Sequence, residues 1–154
     1  MNTLTYENLH EVKKHVSSQF PYNTYLCSIP LDFTQVPLHW HNDVEIIVIK
    51  KGCGIISVDT EPRAVKAGDI ILVRPGQLHS ISQHEKDSME YENILFQSSL
   101  LYSADSDIPS RILHWNTNFH GSLTIPVPPM KNFLPVLMQS MTSALSVRTI
   151  MNYQ

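Results

Sequence analysis

Residues 44–50 read Val-Glu-Ile-Ile-Val-Ile-Lys, a β-branched apolar run that predicts a buried strand. Lys51-Gly52-Cys53-Gly54 reads as a turn, after which Ile55–Val58 pairs back. Asp59-Thr60-Glu61-Pro62 is a second turn, Arg63–Lys66 a short alternating strand and Ala67-Gly68-Asp69 a third turn. Ile70–Val73 is again apolar throughout, Arg74-Pro75-Gly76-Gln77 turns, and Leu78–Ser82 continues. A polar loop over 83–89 leads into a strand over Glu90–Phe96, where Tyr91, Asn93 and Leu95 alternate with Glu92, Ile94 and Phe96. Turn signals every 8–12 residues or so predict an all-β barrel or sandwich.

The flanks read differently. Leu9, Val12 and Val16 recur at i, i+3 and i+7, which predicts a helix over 5–19 with Thr5 as N-cap and Glu7 in its first turn. Tyr25–Ile29 forms a strand whose exit at Pro30 marks an edge or bulge. Ser98–Tyr102 leaves the barrel, a polar loop follows over 103–110, and Phe119–Val127 is expected as a last strand. From Asn132 a wide apolar stripe through Leu134, Leu137, Met138, Met141 and Leu145 returns to helical period. The domain plan is an N-terminal arm over 1–23, a barrel over 24–130 and a C-terminal helix over 131–154.

A chain of 154 residues fits one domain and buries a core without staples. A net charge of −3 makes it a poor nucleic-acid binder by itself. Cys27 and Cys53 are too far apart for a CxxC pair and read as free thiols in a reducing cytoplasm. The polar start lacks a leader, and no apolar run reaches the roughly 20 residues of a membrane span.

The chemistry gathers at Leu38–Ser80. His39 and His41 share a strand face at period two, Glu45 keeps the same parity, and His79 arrives about forty residues later. Imidazoles with a carboxylate suit zinc, iron, manganese or nickel. The same set equally forms a metal-free pocket for a small polar molecule, with Trp40 or Tyr91 stacking on it, or serves as satisfied rim residues. His10, His15, His84, His114 and His120 lack partners at ligand spacing and read as surface or core residues.

These residues resemble the cupins. His-x-His, three residues, Glu, six residues, Gly stands complete as His39, His41, Glu45 and Gly52. In the second motif Gly68, Gly76 and His79 keep their spacing, the proline is displaced to Pro75, and Gln83 replaces asparagine. Within cupins, the Pro37-x-His-Trp-His opening, the 67–80 segment and the Tyr91-x-Asn-Ile-Leu-Phe strand are similar to the sensing domain of AraC-type transcription regulators. The resemblance implies a mainly β jelly-roll barrel with C-terminal helices and a homodimer formed through those helices. It also implies a small effector, such as a sugar, bound near His39, Trp40, His41, Glu45, His79 and Tyr91, with no enzyme activity. No cofactor is required, although a divalent metal at His39, His41, Glu45 and His79 is compatible with the motif. DNA contact would fall to a helix-turn-helix domain after Gln154. The alternative is a stand-alone metal-dependent cupin enzyme, an isomerase or dioxygenase.

Overall fold

A computed structural model describes residues 5–17, 19 and 21–101. The expected strand at 119–127, the helix at 131–154, His114 and His120 lie outside the described residues. Seven strands form the described part: β1 (Tyr22–Ile29), β2 (Gln35–His39), β3 (Val44–Val58), β4 (Glu61–Lys66), β5 (Ile70–Val73), β6 (His79–Gln83) and β7 (Met89–Phe96). The order β1-β7-β3-β6-β2 is antiparallel throughout, with β4 and β5 also paired to β3.

β3 is a single strand of 15 residues, not the hairpin expected around Lys51–Gly54. Its first half pairs with β7 and β5, and its second half pairs with β4 and β6. The glycines bend the strand without reversing it. The register slips between Ile49 and Lys51, and Gly52 follows at φ +71°. Such a bulge lets one strand pass from one sheet into another. The first true reversal comes at Asp59 and Thr60, both at positive φ, which joins β3 to β4 as a two-residue hairpin.

The predicted β4, β5, β6 and β7 are all present; β4 starts two residues before Arg63, taking in Glu61 and Pro62 that were expected in the turn, and the other ends shift by at most one residue. β1 begins three residues earlier than Tyr25 and, among the described residues, lies at the sheet edge, in keeping with Pro30 at its exit. The core is Ile29, Ile47, Ile49, Ile56, Val58, Val65, Ile71, Val73, Ile81, Met89 and Tyr91, all buried. Each such aliphatic side chain stabilises the fold by about 1.5–3 kcal/mol.

The helix expected over 5–19 is absent from the described residues. Only a 3-10 turn, Tyr6–Leu9, forms behind Thr5. Residues 10–17 instead run without regular helix, and Val12 is 87% exposed. Three apolar residues are too thin a stripe to hold a helix on the core. The backbone finds other partners: Glu11 N–H donates to Trp40 O, Trp40 N–H donates to Leu9 O, and His10 bridges Trp40 in parallel.

Gly52 leaves no room for a side chain, since a Cβ there would lie 1.8 Å from Ser88 O. Gly52→Ala must strain φ and displace the 84–88 loop, so it should cost about 1–3 kcal/mol or more. Chemical denaturation checks this, and an unchanged midpoint would mean that β3 tolerates a different bend.

Candidate functional site

Each member of the site comes from a different part of the fold. His39 ends β2 and stands directly opposite His79, which opens β6. His41 lies in the connection after β2, and Glu45 is the second residue of β3. The four therefore do not share one strand face, as parity had suggested. The chain turns between His41 and Val44, and three strands and a connection bring the groups together.

The imidazoles are packed closely, with ring centroids 4.1 Å apart for His39 and His79, 4.9 Å for His41 and His79, and 5.8 Å for His39 and His41. Each is oriented by the backbone. His39 Nδ1 donates to Pro37 O at 2.8 Å, His41 Nδ1 to Asp43 O at 3.1 Å, and His79 Nδ1 to Gln77 O at 2.9 Å. That fixes the tautomer and leaves each Nε2 for the interior. One ligating atom from each of His39, His41 and His79 lies within 4.8 Å of the others.

Glu45 sits beneath them, 3% exposed. Its Oε2 accepts from His41 Nε2 at 3.0 Å and also lies 3.0 Å from His79 Nε2. The second approach is a close contact in which His79 Nε2 makes no hydrogen bond of good geometry. Burial by itself would raise the Glu45 carboxyl; His41 and His79 outweigh it and hold it at about 2. Burial likewise opposes the charge on His41, but Glu45 prevails and raises it, consistent with both its ring nitrogens donating. Burial and the neighbouring His79 push His39 down.

These groups line a cavity of about 260 Å³. Tyr25 and Cys27 of β1, Tyr91 and Asn93 of β7, and Ile81 of β6 form its walls. The register explains the wall: Tyr25 lies across from Asn93, and Cys27 across from Tyr91. Tyr91 is fully buried, and burial pushes its hydroxyl pKa up. Tyr91 OH, Asn93 Oδ1 and His79 Nε2 find no hydrogen-bond partner among the described residues. Three orphaned polar atoms around one cavity depart from the rule that buried polar groups are paired.

The N-terminal segment crosses the mouth. Glu11 contacts His15 Nε2 at 2.9 Å and His39 Nε2 at 3.6 Å, and Glu11, Lys13 and His15 line the cavity. His15 thus has partners that ligand spacing in the sequence did not show, Tyr25 on β1 and Glu11 four residues before it in the same irregular stretch. Trp40 is placed elsewhere than expected. Its ring stacks on Tyr6 at 4.6 Å and 8°, its Nε1 donates to Tyr6 O at 2.7 Å, and it is not among the residues lining the cavity. Asn93, Tyr25 and Glu11 join the site without having been singled out; only the period-two alternation of β7 pointed at Asn93.

The family model of the AraC-like ligand-binding domain matches residues 31–116, more than half of the chain. The chain belongs to the AraC-like ligand-binding domain family. This AraC-like domain is 28% identical over 86 residues to the uncharacterized HTH-type transcriptional regulator YdeC of Bacillus subtilis, with 55% of the chain matched. It spans 30% of the length of that curated relative. Among solved structures it is similar to a cupin protein from Bacteroides fragilis, at 25% identity and a TM-score of 0.49, over 54% of this chain and 71% of that one. It is also similar to a predicted oxalate decarboxylase from Thermotoga maritima, at 25% identity and a TM-score of 0.44, over 48% of this chain and 64% of that one. The mainly β architecture expected from the motif is the one the described residues of the AraC-like domain have. Among its described residues no helix is long and apolar enough to cross a membrane.

A carboxylate whose pKa falls on folding stabilises the fold above its unfolded value, and that contribution disappears as pH drops toward the folded value. For Glu45 the window runs from about 4.5 down to about 2. His41 acts in the opposite sense, its contribution fading as pH rises through its raised value. Metal-free protein should therefore lose stability steeply across the Glu45 window, and Glu45→Gln should flatten that limb. Urea titrations at stepped pH measure it; identical limbs would show that Glu45 is not held ionised.

Proposed function

We propose that this AraC-like domain is the effector-sensing module of a transcription regulator and binds a small polar metabolite in the barrel cavity. The observation that carries the reading is the set of three orphaned polar atoms, His79 Nε2, Tyr91 OH and Asn93 Oδ1, around one cavity of about 260 Å³. A ligand rich in hydroxyl or carboxylate oxygens, a sugar among them, would supply the missing partners. Phe33, Val36 and Leu95 offer apolar contact for its carbon face. Binding would be read out as a shift between two arrangements of the protein, with no turnover. The regulator's DNA contacts would come from a separate helix-turn-helix domain, in a cytoplasmic protein. Residues 131–154 would carry a homodimer; light scattering that finds only monomer at high concentration would count against them.

A second reading rests on the three fixed imidazoles. His39, His41 and His79 fit a divalent transition metal, with Glu45 as a further donor or as partner to their protons. Such an ion would supply Lewis-acid chemistry, and the domain would then be a small cupin enzyme. The sensor reading requires effector binding to survive chelators; the enzyme reading requires a stoichiometric metal lost together with an activity.

Tyr91→Phe separates function from architecture. Removing an unpaired buried hydroxyl should leave the unliganded protein as stable, or up to about 1–3 kcal/mol more stable. The same change should weaken the effector about tenfold or more, the loss of one buried hydrogen bond of roughly 1.4 kcal/mol or above. Thermal-shift screening of sugars and small organic acids, followed by calorimetry with chelator present, tests both halves. A variant that is less stable and binds equally well would overturn the reading.

A further inference from the structure

A second cluster of ligating side chains stands apart from the barrel cavity, where Cys53 of β3 meets the loop joining β6 to β7. Cys53 Sγ lies 3.2 Å from Asp87 Oδ2, and His84 Nδ1 lies 3.2 Å from the same oxygen. The three ligating atoms all fall within 4.8 Å of one another. None of the three residues lines the cavity. Tetrahedral zinc with its usual bond lengths, about 2.3 Å to sulfur and about 2.0 Å to nitrogen or oxygen, sets its ligands roughly 3.3–3.5 Å apart. The observed 3.2 Å separations are close to that edge length.

The backbone holds the three in place although 34 residues separate Cys53 from Asp87. Cys53 N–H donates to Ser88 O at 3.1 Å, and Asp87 N–H donates to His84 O at 2.9 Å. Gln83 Nε2 reaches Asp87 O at 2.9 Å, and the bare Cα of Gly52 lets Ser88 pack against β3. The ligand directions are thus set by the sheet, and a cation does not have to gather a floppy loop. Thiolate, imidazole and carboxylate together favour zinc over calcium or magnesium. His84 and Asp87 are about half exposed, which leaves room for water as fourth ligand.

We propose that Cys53, His84 and Asp87 form a surface Zn²⁺ site. On binding, the Cys53 S–H bond breaks, a zinc–sulfur bond forms and the proton passes to solvent. His84 coordinates through Nδ1 with its proton on Nε2, and Asp87 coordinates as the carboxylate. The ion would replace the Cys53–Asp87 hydrogen bond by a crosslink between β3 and the loop.

Cobalt(II) is the probe, because a thiolate ligand gives a charge-transfer absorption that imidazole and carboxylate ligands lack. The whole chain should develop that band at one equivalent, and zinc should bleach it. Cys53→Ser should abolish the band, and His84→Ala should weaken cobalt binding about tenfold or more. Cys27→Ser should leave it intact, which separates this cluster from the thiol in the cavity. Circular dichroism confirms that each variant is folded, and serine in place of Cys53 is nearly isosteric. A band that persists in Cys53→Ser, disappears in Cys27→Ser, or never forms in the wild type would overturn the assignment.

Discussion

The fold depends on β3 running unbroken through a bend. One strand pairs with β7 and β5 along its first half and with β4 and β6 along its second. The bend exists because Lys50 adds a residue to the ladder and Gly52 offers no side chain to the neighbouring Ser88 carbonyl. A straight β3 would leave two separate sheets, and neither would enclose anything. The curl brings the interior faces together, so Glu45 on one half of the structure reaches His79 on the other.

Within that enclosure the electrostatics are arranged around one buried carboxylate. Glu45 is too deep to be ionised unaided, and His41 supplies the opposing charge. Backbone carbonyls of Pro37, Asp43 and Gln77 hold the three imidazoles in one orientation through Nδ1, so the site is organised before anything enters it. β7 contributes the contrasting feature. Its interior groups, Tyr91 and Asn93, are placed against the cavity and left unpaired, which a purely structural interior would avoid. A site with fixed donors on one wall and unmet polar groups on another suits recognition of a small polar molecule.

Much of this was legible in the residues. β-branched runs and turn residues located β5 to β7 within one residue, because those strands are half or fully buried and their ends are marked by Gly, Pro or Asp; the exposed β4 was located within two. His39, His41, Glu45 and His79 converge because the motif spacing encodes the strand pairing that joins them. Three things stayed hidden. Gly52 and Gly54 look like a turn, and only the partner strands show that the chain bends there and continues. Val12 and Val16 mimic a helical stripe, but the backbone groups at Leu9 and Glu11 are taken up by Trp40, far away in sequence. Trp40 alternates with the two histidines, so its outward position was implicit in the period of two; its aromatic character drew attention to the cavity instead. Tyr25 and Glu11 could not be found at all without the β1–β7 register and the path of the arm.

Among the described residues β2 is the last strand on its side of the sheet, and its continuation at Trp40 would present backbone groups with no neighbouring strand. Leu9 and Glu11 occupy those groups, and the Tyr6 ring covers the Trp40 indole. Tyr6, Leu9 and Glu11 therefore act as a cover for a sheet edge, the kind of edge through which β proteins join one another by accident. Any version of this domain that begins after residue 11 would carry an open backbone and a bare indole side by side. Its tendency to aggregate would then be set by that margin, independently of how well the interior is packed.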